Sequence, residues 1–357
     1  MTKRVPRWIA TVILGSILLS QPAFAVSVTE VLLPNCTGAV TGFFYDAPSL
    51  TAWAPCYDTG FLDSVNFGTV PPTINSYDLS AIVGKFNIIS ASGDANNIYL
   101  SGRSSGQIFS VSKSLPTIAT VLTSGLSVPW FTAMLGGFLY VAYNGGVAKI
   151  DPVTGLTTLI NTGHEMVGIA TDGVGDLVAT APETNTPNGV GLLYEIDPTA
   201  NTATMRVSGM TSPVGVFEDS AFVYVAENNN NPGVNSGKSN VYKIPRSTWT
   251  ITGSTTGSLT PPAVGYSIIV VGTTVAVSSI GDGNIYTFDQ LTMNPTATIL
   301  CPIVEDVGLG PQCRPLYTLG TDGVNLFVGF QGSNGIGKLA NWQPTNNGRH
   351  CGKIPCS

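Results

Sequence analysis

The stretch PWFTAMLGGFLYVAYNGGVAKIDPVTGLTTLI, residues 129–160, contains the unit from which most of this chain is built. Apolar and polar residues alternate along it in runs of about five to seven positions, which is the pattern of half-buried β-strands. Gly136-Gly137 and Asp151-Pro152 separate the runs, and these residue types are the ones that tight turns between strands require. The stretch therefore predicts four short antiparallel strands joined by hairpins.

The unit recurs along the chain. Its first half, a strand, a turn and a second strand, is found six times, as NIISASGDANNIYLSG (87–102), PWFTAMLGGFLYVAYN (129–144), MVGIATDGVGDLVATA (166–181), PVGVFEDSAFVYVAEN (213–228), AVGYSIIVVGTTVAVSS (263–279) and PLYTLGTDGVNLFVGF (315–330). The second half follows in full after five copies and is truncated after the sixth, as NGIGKLANW. Four strands per unit, a period of roughly 40–50 residues and no helical periodicity predict an all-β fold, the β-propeller.

The number of copies predicts six blades within residues 73–342. The sixth copy lacks its last strand, whereas TINSYDLSAIVGKF (73–86) reads as a second half without a first half. We therefore expect this N-terminal segment to supply strands to the last blade and to close the ring. Seven blades is the alternative, if residues 28–68 form a divergent blade. A two-domain β-sandwich explains neither the repeat nor the unmatched half.

The two ends of the chain carry other signals. Residues 1–25 combine the basic Lys3, Arg4 and Arg7 with the apolar run WIATVILGSILLS and the small-residue site AFA, which predicts a signal peptide and export to the periplasm or beyond. The apolar run is too short for a membrane span. Residues 26–72 are then an N-terminal extension, and residues 343–357 a C-terminal tail.

Six cysteines follow the predicted signal peptide. An even number of cysteines in an exported protein indicates disulfide bonds. Pairing of sequence neighbours is the simplest arrangement, and bonding of the N-terminal pair to the C-terminal pair, which would clamp the termini together, is the alternative. The cysteines are Cys36, Cys56, Cys301, Cys313, Cys351 and Cys356.

The net charge of −6 and the lack of any Lys/Arg cluster give the protein no reason to attract nucleic acid or anionic lipid. We expect its partner to be a small polar ligand or another extracytoplasmic protein.

The half-repeats KIDPVTG (149–155) and YEIDPTA (194–200) resemble those of the NHL and YVTN-type β-propellers and of the regucalcin/gluconolactonase and streptogramin-lyase relatives. The resemblance extends over roughly residues 73–340. It implies the architecture, but such repeats occur in enzymes, binding proteins and scaffolds alike. No catalytic signature of these families can be placed on this chain residue by residue.

In a propeller, the links between blades and the loops between the second and third strands of each blade share one face. The repeat alignment places a set of polar and aromatic residues on this rim. They are Arg103, Trp130, Tyr143, His164, Glu165, Glu183, Glu227, Asn228, Asp282 and Arg314.

Two functions are compatible with this rim. The first is a ligand- or partner-binding module, of which a structural module without a defined pocket is a variant. The alternative is a divalent-metal-assisted lactonase, other hydrolase or lyase acting on a small polar substrate. The latter would use His164 or Glu165 as the general base and Arg103 or Arg314 to receive negative charge. Its metal, Ca²⁺ or another divalent cation, is made plausible by the resemblance to the gluconolactonase group, and the candidate oxygen ligands are Glu165, Glu183, Glu227 and Asn228.

Overall fold

The short alternating runs of the sequence pair with their chain neighbours, so that the strands form successive antiparallel sheets. The computed structural model describes residues 29–182, 190–228, 239–252, 256–259, 263–299, 304–306, 310–312, 316–330, 335–339 and 342. Within this part of the chain, seven sheets follow one another as the blades of a β-propeller. We number the strands in chain order and call the four strands of a blade A to D.

The first three blades contain the following strands: β2 (Phe44–Asp46), β3 (Thr51–Pro55), β4 (Phe61–Asn66) and β5 (Thr73–Asp78) in the first; β6 (Ile88–Gly93), β7 (Asn97–Gly102), β8 (Gln107–Ser112) and β9 (Ala119–Ser124) in the second; and β10 (Thr132–Leu135), β11 (Phe138–Ile150) and β12 (Thr157–Glu165) in the third. The long strand β11 pairs with β10 over its first part and with β12 over its second. It therefore spans the equivalents of strands B and C in the other blades.

The next three blades have four strands each: β13 (Ile169–Thr171), β14 (Leu177–Ala181), β15 (Gly191–Asp197) and β16 (Thr202–Met210) in the fourth; β17 (Pro213–Glu218), β18 (Phe222–Glu227), β19 (Ser239–Pro245) and β20 (Thr256–Leu259) in the fifth; and β21 (Gly265–Val271), β22 (Thr274–Ser279), β23 (Ile285–Asp289) and β24 (Pro295–Ile299) in the sixth. A separate hairpin of β25 (Val304–Asp306) and β26 (Gly310–Gln312) follows. In the described ranges, the helical elements are a 3-10 turn at Ala47–Ser49 and the one-turn helix α1 at Ser80–Val83.

The seventh blade is assembled from both ends of the described chain. Strands β27 (Leu316–Thr321), β28 (Leu326–Phe330) and β29 (Gly335–Leu339) are completed by β1 (Thr29–Leu32), which pairs antiparallel with β29. An N-terminal strand therefore closes the ring, but this strand is β1 and not the segment 73–86 named from the sequence.

The prediction of six blades is wrong, because residues 44–78 form a complete sheet of their own. Strand β5, which we expected to join the last blade, pairs with β4 over its whole length. The repeat pattern does not reveal this first blade, whose strands β2 and β3 are joined by the 3-10 turn Ala47–Ser49 in place of the tight hairpin turns of the repeat. Seven blades was the alternative interpretation of the sequence.

The apolar core lies between neighbouring blades. Between the third and fourth blades, for example, Tyr140, Leu177 and Ile196 are almost fully buried in one cluster. The first and seventh blades meet through Phe327, whose ring stacks on Tyr45 at a centroid distance of 4.2 Å and contacts Phe67 at 5.1 Å. These contacts extend the packing around the point of closure.

The predicted disulfide between Cys36 and Cys56 is confirmed, which rules out the crossed arrangement for this pair. It joins the segment after β1 to the loop after β3, and both sulfur atoms belong to buried residues. The other four cysteines, the predicted signal peptide and the predicted C-terminal tail lie outside the described residues. Within the described ranges, no helix is long and apolar enough to cross a membrane.

Candidate functional site

A cavity of about 560 Å³ opens on the face of the propeller that carries the B-to-C loops and the links between blades. We call it the cup. Its walls come from the segment after β1 and from the loops or A strands of the first, second, third, fifth, sixth and seventh blades. The lining residues are Gly38, Ala39, Thr41, Tyr57, Asp58, Ile89, Arg103, Trp130, Asn228, Tyr266, Ile280 and Tyr317.

An aromatic layer lies at the bottom of the cup. Below it, the A strands enclose a smaller channel of about 230 Å³, and Tyr266 and Tyr317 line both spaces. The two tyrosine rings meet edge to face at 4.9 Å, and Phe131 contacts Tyr266 at 6.1 Å. Burial raises the pKa of Tyr266, with a smaller contribution from Tyr317, so its hydroxyl is neutral at physiological pH. The cup therefore has an uncharged aromatic floor.

Arg103 supplies the positive charge of the cup, from the B-to-C loop of the second blade. This loop is fixed by the buried Asn87, whose Oδ1 accepts bonds from the backbone N–H groups of Ser104 and Ser105 at 2.8 and 2.9 Å. The Arg103 guanidinium lies 4.0 Å from the centre of the Trp130 ring, a distance typical of a cation–π contact. Its Nε is buried and has no hydrogen-bond partner among the described residues.

Trp130, in the link before β10, is held from three sides. Its backbone N–H donates to the carbonyl of Ala142 at 2.7 Å, and its own carbonyl accepts the hydroxyl of Ser90 at 3.1 Å. Its indole Nε1 donates to Oε1 of Glu165 at 2.8 Å. The indole is thus oriented by a carboxylate on one side while it carries the guanidinium of Arg103 on its face.

Asp58 supplies a negative charge to the same cup, from the B-to-C loop of the first blade. The disulfide of Cys56, two residues earlier, ties this loop to the segment that contains Gly38. A methyl group at position 38 would overlap the Asp58 carboxylate, so a larger residue there would displace this side chain. Burial raises the pKa of Asp58, and its carboxylate makes no hydrogen bond or ion pair within the described part of the chain.

Glu227, a candidate metal ligand, is engaged in the protein interior. It is fully buried, and its Oε1 accepts the backbone N–H of Thr211 at 2.6 Å and the Tyr242 hydroxyl at 2.9 Å. Its Oε2 accepts the side-chain amide of Asn240 at 2.8 Å. The neighbouring Asn228 does line the cup. The carboxylate of Glu227 therefore stabilises the loops of the fifth blade and does not face the cup.

Two more rim candidates form hydrogen bonds within their own blades. Asp282 accepts hydrogen bonds from the Tyr286 hydroxyl and, at 2.9 Å, from the Asn284 side chain. Tyr143 is 6% exposed, and its hydroxyl donates to Asn161 Oδ1 at 3.0 Å.

The catalytic candidates His164 and Glu165 are the last two residues of strand β12, and their side chains contact different partners. The ring of His164 packs near that of Tyr194, at a centroid distance of 6.0 Å, whereas Glu165 accepts the indole of Trp130. Glu183 and Arg314 lie outside the described residues.

The described residues do not fit a divalent-metal centre. They contain no group of three or more His, Cys, Asp or Glu side chains that could hold an ion. Of the four candidate ligands, Glu227 uses both carboxylate oxygens inside the fold, and Glu165 is bound to Trp130. No specific contact therefore favours the metal-assisted enzyme over a binding protein.

The sequence pattern missed Asp58, Tyr266 and Tyr317. Asp58 was overlooked because residues 26–72 were set aside as an extension, although the order strand, CYDTG, strand matches the B-to-C region of a blade. The tyrosines were available in the repeat alignment, since Phe131, Tyr266 and Tyr317 all lie near the start of an A strand. A recurring aromatic position there signals a channel plug.

Comparison with known proteins supports the fold. No family model matches this chain, and neither does any curated protein sequence. Virginiamycin B lyase from Staphylococcus aureus, solved as a catalytically inactive variant with quinupristin, is similar with a TM-score of 0.65 and 15% identity over 88% of this chain and 99% of that one. A streptogramin B lyase gives 0.66 and 14%, over 87% and 96%.

A third neighbour is the extracellular domain of a hybrid two-component system from B. thetaiotaomicron, with a TM-score of 0.61 and 13% identity over 90% of this chain and 44% of that one. At these identities the likeness shows the fold alone. The protein is a seven-bladed β-propeller, and the expected resemblance to streptogramin-lyase-type propellers is confirmed at the level of architecture.

Proposed function

We propose that this protein is an exported binding protein that holds a small polar ligand in the cup. The observation that carries the proposal is the state of Arg103, which is stacked on Trp130 with an enclosed Nε that has no partner among the described residues. Leaving such a donor unsatisfied costs free energy of about 1–3 kcal/mol. Arg103 lines the cup, and the fixed indole holds its guanidinium ready to receive a ligand acceptor.

The size and position of the cup support the same function. Its volume of about 560 Å³ falls in the range of roughly 300–1,000 Å³ that small-molecule sites occupy. The walls combine aromatic rings with a few polar groups, which is the usual composition of such sites. Export is supported by the Cys36–Cys56 disulfide, since such bonds persist in oxidising compartments.

A screen of small polar metabolites by thermal shift, followed by calorimetry, tests this proposal. The variant Ile280→Trp places a large side chain in the cup, so it should abolish binding of the compounds that stabilise the wild-type protein. Val153→Trp is the matched control, because Val153 is 91% exposed in the C-to-D turn of the third blade, on the opposite face. A screen without stabilising compounds, or compounds that bind Ile280→Trp normally, would contradict the proposal.

A further inference from the structure

The cup holds two opposite charges that do not neutralise each other. Arg103 and Asp58 occupy equivalent B-to-C loops of the second and first blades, and both line the cup. They form no ion pair with each other, nor does either side chain hydrogen-bond to another described residue. This separation is built in, because Asn87 fixes one loop and the disulfide at Cys56 fixes the other.

Each of these charges restricts the ligand in a different way. A ligand with only negative charge would be attracted by Arg103 but repelled by Asp58. A ligand with only positive charge would be attracted by Asp58 but repelled by Arg103. A neutral ligand would leave both charges without an ionic partner in a partly desolvated space, which is unfavourable. A molecule that carries both signs supplies an ionic partner to each of the two groups.

The rest of the lining fits the same molecule. Tyr57, Tyr266 and Tyr317 surround the charges with aromatic surface, which attracts an ammonium group through its π-electrons. The Arg103 guanidinium suits a carboxylate, because its planar donors match the two oxygens. The volume of the cup leaves space for a side chain beyond the two charged groups.

We propose that the ligand of the cup is a zwitterion, an amino acid or short peptide whose carboxylate binds Arg103 and whose ammonium group binds Asp58. This inference rests on the proposed function, since it names the ligand class of the same site. Burial raises the pKa of Asp58 because it destabilises the charged carboxylate. An ammonium partner would stabilise that charged form, which agrees with the proposed ligand.

The test uses the standard L-amino acids and simple dipeptides as probes, titrated by calorimetry into the full-length mature protein. At least one probe should bind, and its methyl ester and its N-acetyl derivative should each bind tenfold or more weakly. The variant Arg103→Met should lose the preference for acid over ester, and Asp58→Asn the preference for free amine over N-acetyl. Each preference is measured within one variant, so a change in overall stability does not imitate the result.

Control variants remove the same charges elsewhere. Arg206→Met alters a D strand, and Asp151→Asn alters a turn on the face opposite the cup. Both variants should bind the probe with an affinity within twofold of that of the wild-type protein. If no zwitterion binds while another class of compound binds and is blocked by Ile280→Trp, the inference is overturned and the proposed function stands. If no compound at all responds to Ile280→Trp, both fail. Zwitterion binding with unchanged preferences in both variants also overturns the inference.

Discussion

The indole Nε1 of Trp130 donates a 2.8 Å hydrogen bond to Oε1 of Glu165, and thereby joins the links on the two sides of the third blade. Trp130 precedes the first strand of that blade, and Glu165 ends its last strand. Because Arg103 stacks on the same indole, Glu165 acts on the cup without lining it. The role of Glu165 is then to position the tryptophan.

Replacing Glu165 by alanine should release the Trp130 indole. The N–H resonance of this indole, assigned through Trp130→Phe, should move and exchange faster with solvent, because it loses its carboxylate acceptor. Heteronuclear NMR with labelled tryptophan measures both effects. His164→Ala is the control, since the His164 ring lies against Tyr194 and should leave the resonance in place. An unchanged resonance in Glu165→Ala would show that the bond does not hold the indole in solution.

Glu227 should prove important for stability. Glu227→Ala would leave the Tyr242 hydroxyl, the Asn240 amide and the Thr211 N–H without their buried acceptor, at a cost of about 3 kcal/mol in the free energy of unfolding. Asn228→Ala, one residue further along, should change it by less than about 0.5 kcal/mol. Urea denaturation compares the two. A loss in Asn228→Ala as large as that in Glu227→Ala would contradict the assignment.

The architecture of this chain was more predictable than its site. Strand patterns and the turn residues of the repeat specify blades directly, because they reflect local backbone geometry and burial. The first blade was missed where the turn signal of the repeat is absent, at the 3-10 turn that joins β2 to β3. Closure by β1 pairs residues such as Val31 and Ile336 that are far apart in sequence, and a local pattern contains no information about such a partner.

The site depends on the direction and partners of individual side chains, which the repeat does not determine. The alignment of the repeats predicts Arg103, Trp130 and Asn228 on one rim, and the structure brings these three residues into one cavity. The same alignment predicts Glu227 on this rim, but its carboxylate is hydrogen-bonded to Tyr242 and Asn240 in the interior and does not face the cup. The position of a loop can thus be inferred from the sequence. Whether a polar side chain in that loop is free to bind a ligand depends on its partners in the folded protein.

Glu218 should make stability depend on pH. Burial raises its pKa from 4.5 to about 8, despite the opposing charge of Arg246, and Asp172 and Asp176 raise it further. The folded state therefore binds more protons than the unfolded state between these two values. The stability associated with protonated Glu218 is fully present below about pH 4.5 and is lost as the pH rises through about 8.

The free energy of unfolding should accordingly fall between pH 5 and pH 8.5 more steeply in the wild-type protein than in Glu218→Gln, as measured by urea denaturation at each pH. Glu195→Gln is the matched control, since Glu195 also pairs with Arg246, at 3.1 Å, but is more exposed. Its slope should follow that of the wild-type protein. Equal slopes in wild type and Glu218→Gln would mean that the buried carboxyl does not take up a proton in this range.

Closure of the ring through β1 should be disrupted by a charge on the buried face of that strand but not by a charge on its exposed face. Val31 is 7% exposed and lies opposite the buried Ile336 of β29, whereas its neighbour Leu32 is 58% exposed. An aspartate at position 31 would place a charge in the apolar cluster at the junction, so Val31→Asp should lower the free energy of unfolding by about 3 kcal/mol. Leu32→Asp should change it by less than about 0.5 kcal/mol, because the new charge remains in solvent.

Hydrogen exchange locates the effect of Val31→Asp. If β1 holds the seventh blade closed, amides of β29 and β28 should lose protection first, while those of the third and fourth blades keep theirs until global unfolding. Leu32→Asp should retain the wild-type pattern. Uniform loss of protection around the ring would instead mean that the propeller opens as a single cooperative unit, and equal effects of the two substitutions would contradict the pairing of β1 with β29.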